Sequence, residues 1–331
     1  MTGVQTCALP ILRCVYHGWK FDHAGRCVDM PSEPPDSNFR HKVTIAAYPC
    51  QEHGGIIWAY LGPREHQPAF PALEWAHLPE GQVYVTRHIQ ECNWFQGFEG
   101  GFDASHLTFL HSGDTWDGDR PLPVKYEPLS APCGMLFGTA RPHEKGLFWS
   151  VEVMAMPFHK LITLQPNRPR GAHMWVPIDD ENCMIYSIEY QPEGPLDPSQ
   201  LDRSHAYRYI HAENLPGSDR CLRNRDNDYL IDRERQASGK SYTGLFGFGI
   251  QDCGIQESMG PISDRTVEHL GVSDIHLIQL RRRMLAALKS LDAGEPLPGS
   301  DPASYRVRTA NFVLPEGQAI APLVAEKVRA A

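Results

Sequence analysis

No run of apolar residues in this chain is long enough to cross a bilayer. The longest, Ile56 to Leu61, falls far short of the roughly 20 residues that a spanning helix needs. Long runs of like charge are also missing, and a net charge of −9 leaves no basic footprint for nucleic acid or an anionic membrane surface. There is no C-x-x-C pair. The nine cysteines are dispersed and odd in number, which argues against a disulfide framework or a zinc ribbon and reads as reduced thiols in a cytoplasmic protein. The N-terminus lacks the basic segment and apolar core of a secretory signal. Repeats and low-complexity tracts are absent too, which excludes a solenoid.

Proline and glycine, by contrast, are plentiful, at 28 each in 331 residues. Spread along the chain, they favour a loop-rich β or α+β architecture over a helical bundle. Residues 12–62 read as short strands and turns, with the turn formers Asp22-His23-Ala24-Gly25 after one strand and Gly54-Gly55 before another. The proline-spaced stretch that follows predicts a linker over 65–77, separating a small β-rich domain (12–64) from a second domain (78–331). In the second domain Glu91 to His111 has a helical look interrupted by glycines. Met135–Thr139, Phe148–Met154, Leu161–Leu164 and Met184–Tyr190 alternate as strands, and Leu201 to Gln236 is charged and helix-like. Ser273 is a candidate cap for a last helix, Asp274–Leu291, with Ile275, Ile278, Leu285 and Leu288 at helical spacing. The expected fold class is α+β, an antiparallel sheet with packed helices.

The stretch N93-W-F-Q-G-F-E-G-G-F-D103-A-S-H106-L-T-F-L-H111 carries the most chemistry. Two imidazoles and one carboxylate can occupy one face of a ferrous ion and leave the other face open for dioxygen and substrate. Zinc hydrolases use similar donors, so ligand type alone does not fix the metal. D-x2-H-x4-H arises by chance in roughly one chain in twenty, so the spacing needs support from elsewhere. A regular helix would set His106 and His111 about 140° apart, so the helix must end, tighten or bulge between them. Asp103 and His106, at i and i+3, can face the same way. Near the start, Cys14 and His17 form a C-x2-H pair followed by Gly18 and Trp19, which taken alone is equally a buried cysteine beside a surface histidine.

The phrase C14-V-Y-H17-G-W resembles the second half of a Rieske iron-sulfur motif, in which two cysteines hold one iron and two histidines the other. With N93 to H111, and with Q251-D252-C-G-I-Q-E-S-M-G-P-I262 before S263-D-R-T-V-E-H-L-G271, the chain is identified as resembling the catalytic subunit of Rieske non-haem iron ring-hydroxylating oxygenases, most closely the phthalate-dioxygenase-like branch. The resemblance covers nearly everything from Leu12 onward. It implies a β-rich Rieske domain, truncated here, and a helix-grip (START-like) catalytic domain. It implies His106, His111 and Asp252 as ligands of a mononuclear Fe(2+), and Cys14 and His17 as ligands of a 2Fe-2S cluster. Asp103 matches the aspartate that bridges an iron-ligating histidine to a cluster histidine of the neighbouring subunit, and Asn93 matches a residue near the iron. Helix capping or core polarity is the alternative for both.

A Rieske site needs an earlier C-x-H pair, and counting back from Cys14 runs past Met1; Cys7 is followed two places on by Leu9. The first eleven residues, MTGVQTCALPI, read as an in-frame translation of a library adapter oligonucleotide with GTG as start codon. Residues 1–11 are therefore expected to be a non-native leader, two of the four cluster ligands to be absent, and the chain to be inactive with a reductase.

What the resemblance implies for the intact enzyme is a terminal oxygenase component, a homotrimer or a multiple of one, supplied with NAD(P)H-derived electrons by a reductase or ferredoxin. It would use O2 to cis-dihydroxylate a small, carboxylated aromatic substrate. Arg141, Arg168 or Arg170 can pair with a carboxylate through a bidentate fork, although Arg168 and Arg170 flank Pro169 in what reads as a turn. Monooxygenation or O-demethylation on the same scaffold is the second reading. Outside this class stand a zinc-dependent hydrolase using the same three ligands, for which no general base is evident, and a non-catalytic helix-grip binding module.

Overall fold

The structure is a computed structural model that describes residues 12–112, 121–162, 169–199 and 210–329. The expected leader, Arg168 and the start of the charged 201–236 stretch lie outside the described residues. The chain divides into two compact units, Met1–Ala69 and Phe70–Ala331.

In the first unit, β1 (Leu12–Arg13), β2 (Lys20–Phe21) and β3 (Cys27–Asp29) form a small antiparallel sheet, and β4 (Cys50–His53) pairs with β5 (Ile56–Ala59). The expected turns have clear causes. Asp22 Oδ1 accepts the N–H groups of Ala24 and Arg26, each at 2.9 Å, which closes the chain before β3. Gly54 and Gly55 both adopt positive φ, 59° and 73°, as a two-residue hairpin turn demands. Phe21, Cys27 and Met30 form the buried centre, with Trp19 and Val43 against it.

The second unit is built on an eight-stranded antiparallel sheet. Its strands are β6 (Val83–Gln90), β7 (Lys125–Ala131), β8 (Gly134–His143), β9 (Gly146–Ala155), β10 (His159–Ile162), β11 (Arg170–Pro177), β12 (Cys183–Tyr190) and β13 (Ala310–Leu314). Their order is β6-β12-β11-β10-β9-β8-β7. Strand β9 pairs with β10 through residues 153–155 and with β13 through 147–151, so those two strands share one of its edges. Against the sheet lie α1 (Trp94–Phe102), α3 (Phe248–Ser258) and α4 (Ile275–Asp292), while α2 (Arg233–Ala237) and α5 (Ala321–Lys327) are short. One buried cluster joins Phe98 and Phe102 of α1, Phe137, Met154, Trp175 and Ile185 of the sheet, Cys253 of α3, and Leu280 and Ala287 of α4. Burying one such large side chain contributes about 1.5–3 kcal/mol. This is the α+β architecture expected from the sequence.

Four local expectations need correction. The described part of the 201–236 stretch is not one helix: it holds a 3₁₀ segment, Arg225–Leu230, and the short α2. Arg170 does not sit in a turn but opens β11. Ser273 does not cap α4; it lies in a 3₁₀ turn, and Asp274 occupies the cap position with its carboxylate turned back to the Gly271 N–H at 2.6 Å. The buried face of α4 is His276, Leu280 and Ala287, while Leu285 and Leu288 are exposed. No described helix is long and apolar enough to cross a membrane.

Candidate metal centre

Helix α1 stops at Phe102, and Asp103 follows in extended conformation. Asp103 then shapes the next turn, because its Oδ1 accepts the Ser105 N–H at 2.7 Å and its Oδ2 lies 3.3 Å from the His106 N–H. A 3₁₀ turn over His106–Thr108 follows, with the Leu110 N–H bonded to the His106 carbonyl at 2.8 Å. The α-helix thus ends before His106, and the chain tightens into a 3₁₀ turn between the two histidines, which departs from the regular helix that would set them apart. Their ring centroids stand 5.0 Å apart.

The third side chain comes from α3, which starts after Gly247 at φ 92°. The carboxylate of Asp252 lies 3.5 Å from His106 Nε2 and 3.3 Å from His111 Nε2. The donor atoms of His106, His111 and Asp252 all fall within 4.8 Å of one another, and among the described residues no other group of three or more His, Cys, Asp or Glu does so. Three donors at about 2.1 Å from one ion and at right angles would stand about 3 Å apart. The three residues therefore fit a mononuclear ferrous ion in both donor chemistry and proximity.

Each histidine is also held from behind. His106 Nδ1 faces Asp103 Oδ2 at 3.3 Å. His111, fully buried, faces Gln251 Oε1 through Nδ1 at 2.6 Å and stacks on Phe248 at 3.6 Å between centroids. The Gln251 amide nitrogen points to the Leu245 carbonyl and Thr243 Oγ1, at 3.3 and 3.4 Å. That fixes its oxygen as the acceptor, puts the His111 proton on Nδ1 and leaves Nε2 as a lone pair toward Asp252. Burial pushes the Asp252 carboxyl up, but His111 and His106, with a smaller contribution from His173, outweigh it and hold it below the usual carboxylate range. Burial likewise opposes Asp103, and its bonds to His106 and Ser105 hold it down. Burial works against the protonated His106, and Asp103 and Asp252 together still raise it. Gln251 and Phe248 were not assigned roles from the sequence, since their contacts span more than a hundred residues.

Asn93 caps α1. Its Oδ1 accepts the Phe95 N–H at 3.0 Å and its amide donates to the Asp180 carbonyl at 2.8 Å, which is the capping alternative. Glu99 is engaged by Arg265 and Arg281 rather than turned to the metal-binding side chains.

A cavity opens beside the three donors. It is lined by His106 and Asp252 together with Arg141, Glu152, Lys160, His173, Trp175 and Phe248, and holds about 950 Å³ of space including its mouth. Lys160 forms an ion pair with Glu152 at 3.1 Å. Arg141 is buried and donates to the carbonyls of Ala104 at 3.0 Å and Pro121 at 3.1 Å. Arg170 is bound instead to Glu193 at 2.7 Å.

Cys14 and His17 lie in the loop between β1 and β2, where the Cys14 N–H meets the Trp19 carbonyl and the Gly18 N–H meets the Cys14 carbonyl. Both are exposed. The backbone N–H groups of Tyr16 and His17 lower the Cys14 thiol pKa, which suits a thiolate ligand. A Rieske cluster takes four protein ligands, and the described residues supply this one pair, so the donor set does not fit the whole group.

The chain matches the model of the Rieske [2Fe-2S] domain over residues 5–49 and that of the LigXa C-terminal domain like family over 59–119 and 150–321. It is 35% identical to the 3-chlorobenzoate-3,4-dioxygenase oxygenase subunit of Comamonas testosteroni, over 92% of this chain and 76% of that one. It is 33% identical to the phthalate 4,5-dioxygenase oxygenase subunit of Pseudomonas putida, over 91% and 72%. Its fold is similar to that of dicamba monooxygenase bound to dicamba, with a TM-score of 0.56 and 15% identity over 86% of this chain and 81% of that one.

Proposed function

The chain belongs to the Rieske oxygenases, terminal oxygenase components that use a 2Fe-2S cluster and a mononuclear iron, and from that premise we propose that it cis-dihydroxylates a carboxylated aromatic ring. Family membership makes it an oxidoreductase and removes the hydrolase reading. The ligands proposed for the iron are His106, His111 and Asp252, on the strength of their converging donor atoms. Bound there, ferrous iron supplies open coordination positions for dioxygen chemistry. The chain's own side chains do the rest: Asp103 and Gln251 orient the two imidazoles, and Trp175, Ile185, Ile210 and Phe248 keep the adjoining wall apolar.

The observation that carries the substrate reading is Arg141. Its guanidinium is buried at the cavity wall, and among the described residues its hydrogen-bond partners are carbonyl groups and no carboxylate lies in ion-pair range. An uncompensated buried cation is costly, and a carboxylate from the substrate would compensate it in a charge-assisted fork. Lys160 already has Glu152 at 3.1 Å, and Glu152 reaches Arg141 only through its field from beyond ion-pair range, so among the described residues Arg141 has no carboxylate partner of its own. The tie from Arg141 to the Ala104 carbonyl sets its charge close to His106 in the chain. The two relatives named above are oxygenases of chlorobenzoate and phthalate, both aromatic carboxylates.

Electrons in this family come from reductase or ferredoxin partners. The assembly proposed is trimer-based, with Asp103 facing a neighbouring copy, in keeping with its place in a second groove beside Ile255, Met259 and Arg265. The test of the reaction is to load the full chain with ferrous iron, add ¹⁸O-labelled hydrogen peroxide and a benzoate, and analyse the product by mass. Addition of both labelled atoms to the ring is the expected result. One labelled atom with loss of water indicates monooxygenation, and formaldehyde from a methoxybenzoate indicates O-demethylation; either would replace dihydroxylation.

A further inference from the structure

The registers of the large sheet set three side chains in a row on its inner face: Lys160 on β10 opposite His173 on β11, and His173 opposite Ser187 on β12. Directly opposed residues on one face have Cβ atoms about 5 Å apart, close enough to interact. Ser187 is fully buried, and its hydroxyl lies 2.9 Å from the Ile210 carbonyl. A carbonyl only accepts, so the hydroxyl hydrogen goes there. Toward His173 Nδ1, at 3.3 Å, Ser187 Oγ can then act only as an acceptor. His173 therefore carries its proton on Nδ1, and Nε2 is a lone pair. Among the described residues no donor bonds Nε2. The ring forms part of the cavity wall together with Arg141, Lys160, His106 and Asp252. Burial, reinforced by the Lys160 charge, brings the imidazole pKa down to about 3, so the ring stays neutral at neutral pH.

We infer that His173 is a second polar subsite, whose Nε2 accepts a hydrogen bond from a hydroxyl or amino group on the ring whose carboxylate Arg141 holds. The substrate class is then a hydroxy- or amino-substituted aromatic carboxylate. This rests on the carboxylate reading above and adds to it. Before a substrate binds, water can serve Nε2. A substrate that displaces that water must bring its own donor or leave a buried acceptor unmet. A chloro or methoxy substituent has no hydrogen to give.

The experiment is calorimetric titration of the full chain with benzoate, the three hydroxybenzoate isomers and the three matching methoxybenzoates. One hydroxy isomer is expected to bind about tenfold (about 1.4 kcal/mol) tighter than both benzoate and its own methyl ether. His173→Phe should abolish that preference, so that benzoate, the hydroxybenzoate and its methyl ether bind within about twofold of one another, since it removes the acceptor that tells them apart. Ser187→Ala, which frees the ring to hold its proton on Nε2, should shrink the preference, and it serves if His173→Phe loses its near-ultraviolet circular dichroism. No preference in the wild type, or a preference that survives in a folded His173→Phe, overturns the inference. The carboxylate reading fails in a different way: benzoate is not bound, or is bound equally by Arg141→Met, and the inference falls with it. Benzoate binding that depends on Arg141 without any hydroxyl preference defeats the His173 subsite alone.

Discussion

Gln251 does for His111 what Asp103 does for His106, with a neutral amide in place of a carboxylate. Removing a partner that fixes a ligand's tautomer typically lowers metal affinity about 10- to 100-fold. Gln251→Leu is therefore expected to weaken cobalt(II) binding by that factor, read from the visible spectrum during titration. Unchanged affinity would show that Phe248 stacking and burial hold the ring unaided. At Arg141 the sign is opposite for binding and for stability. Loss of a charge-assisted bond of about 1.5–3 kcal/mol lowers benzoate affinity about 10- to 150-fold in Arg141→Met. Thermal stability should hold or rise, because a buried cation with no carboxylate partner among the described residues is gone. His106 and His111 were legible in the sequence because aspartate and both histidines fall within nine residues. Asp252 lies 141 residues beyond His111, and only the resemblance pointed to it. His173 was not legible, since what distinguishes it is the strand register that sets Ser187 beside one nitrogen and the cavity beside the other.

At the scale of elements, the glycines that interrupted the expected helix are what let α1 approach the sheet. A Cβ on Gly97 would meet Trp175 Nε1 and stand 2.7 Å from Gln90 Oε1; one on Gly101 would stand 2.9 Å from the Trp175 ring. Gly97→Ala should gain helix propensity and lose more than it gains, with a net destabilisation of about 1–3 kcal/mol from overpacking. Urea denaturation followed by tryptophan fluorescence measures it, and a more stable variant would mean that Trp175 can move aside freely. The same close packing explains why α3 was missed. Ile250, Gln251, Cys253, Gly254, Gln256 and Glu257 are all buried, so the helix is enclosed on most sides and shows no apolar stripe. Strands β8, β9 and β12 were legible from alternation. Helix α4 was legible as a helix, but its apolar spacing marked the wrong face, because the buried face includes His276 and Ala287.

The whole chain carries one site whose three donors lie together in the second unit and another for which the described residues supply only Cys14 and His17. Across all 331 residues no cysteine is followed two places on by histidine, so the C-x-H half of a Rieske ligand set is not present in this polypeptide. The two sites should therefore separate in experiment. Purified anaerobically and given ferrous iron, the chain is expected to take up one iron per copy with no Rieske electron-resonance signal. Losing one partner ligand on each iron leaves nothing to retain a cluster. His106→Ala should abolish the uptake, because two remaining donors no longer cap one face of the ion. With reductase, NADH and oxygen no product should form. Hydrogen peroxide brings the oxygen atoms together with both reducing equivalents, so it should give slow product formation that disappears with the iron in His106→Ala. A Rieske signal from this chain would show that other side chains complete the set around Cys14 and His17. Product from peroxide in the iron-free variant would show that the chemistry observed is not that of the His106, His111 and Asp252 site.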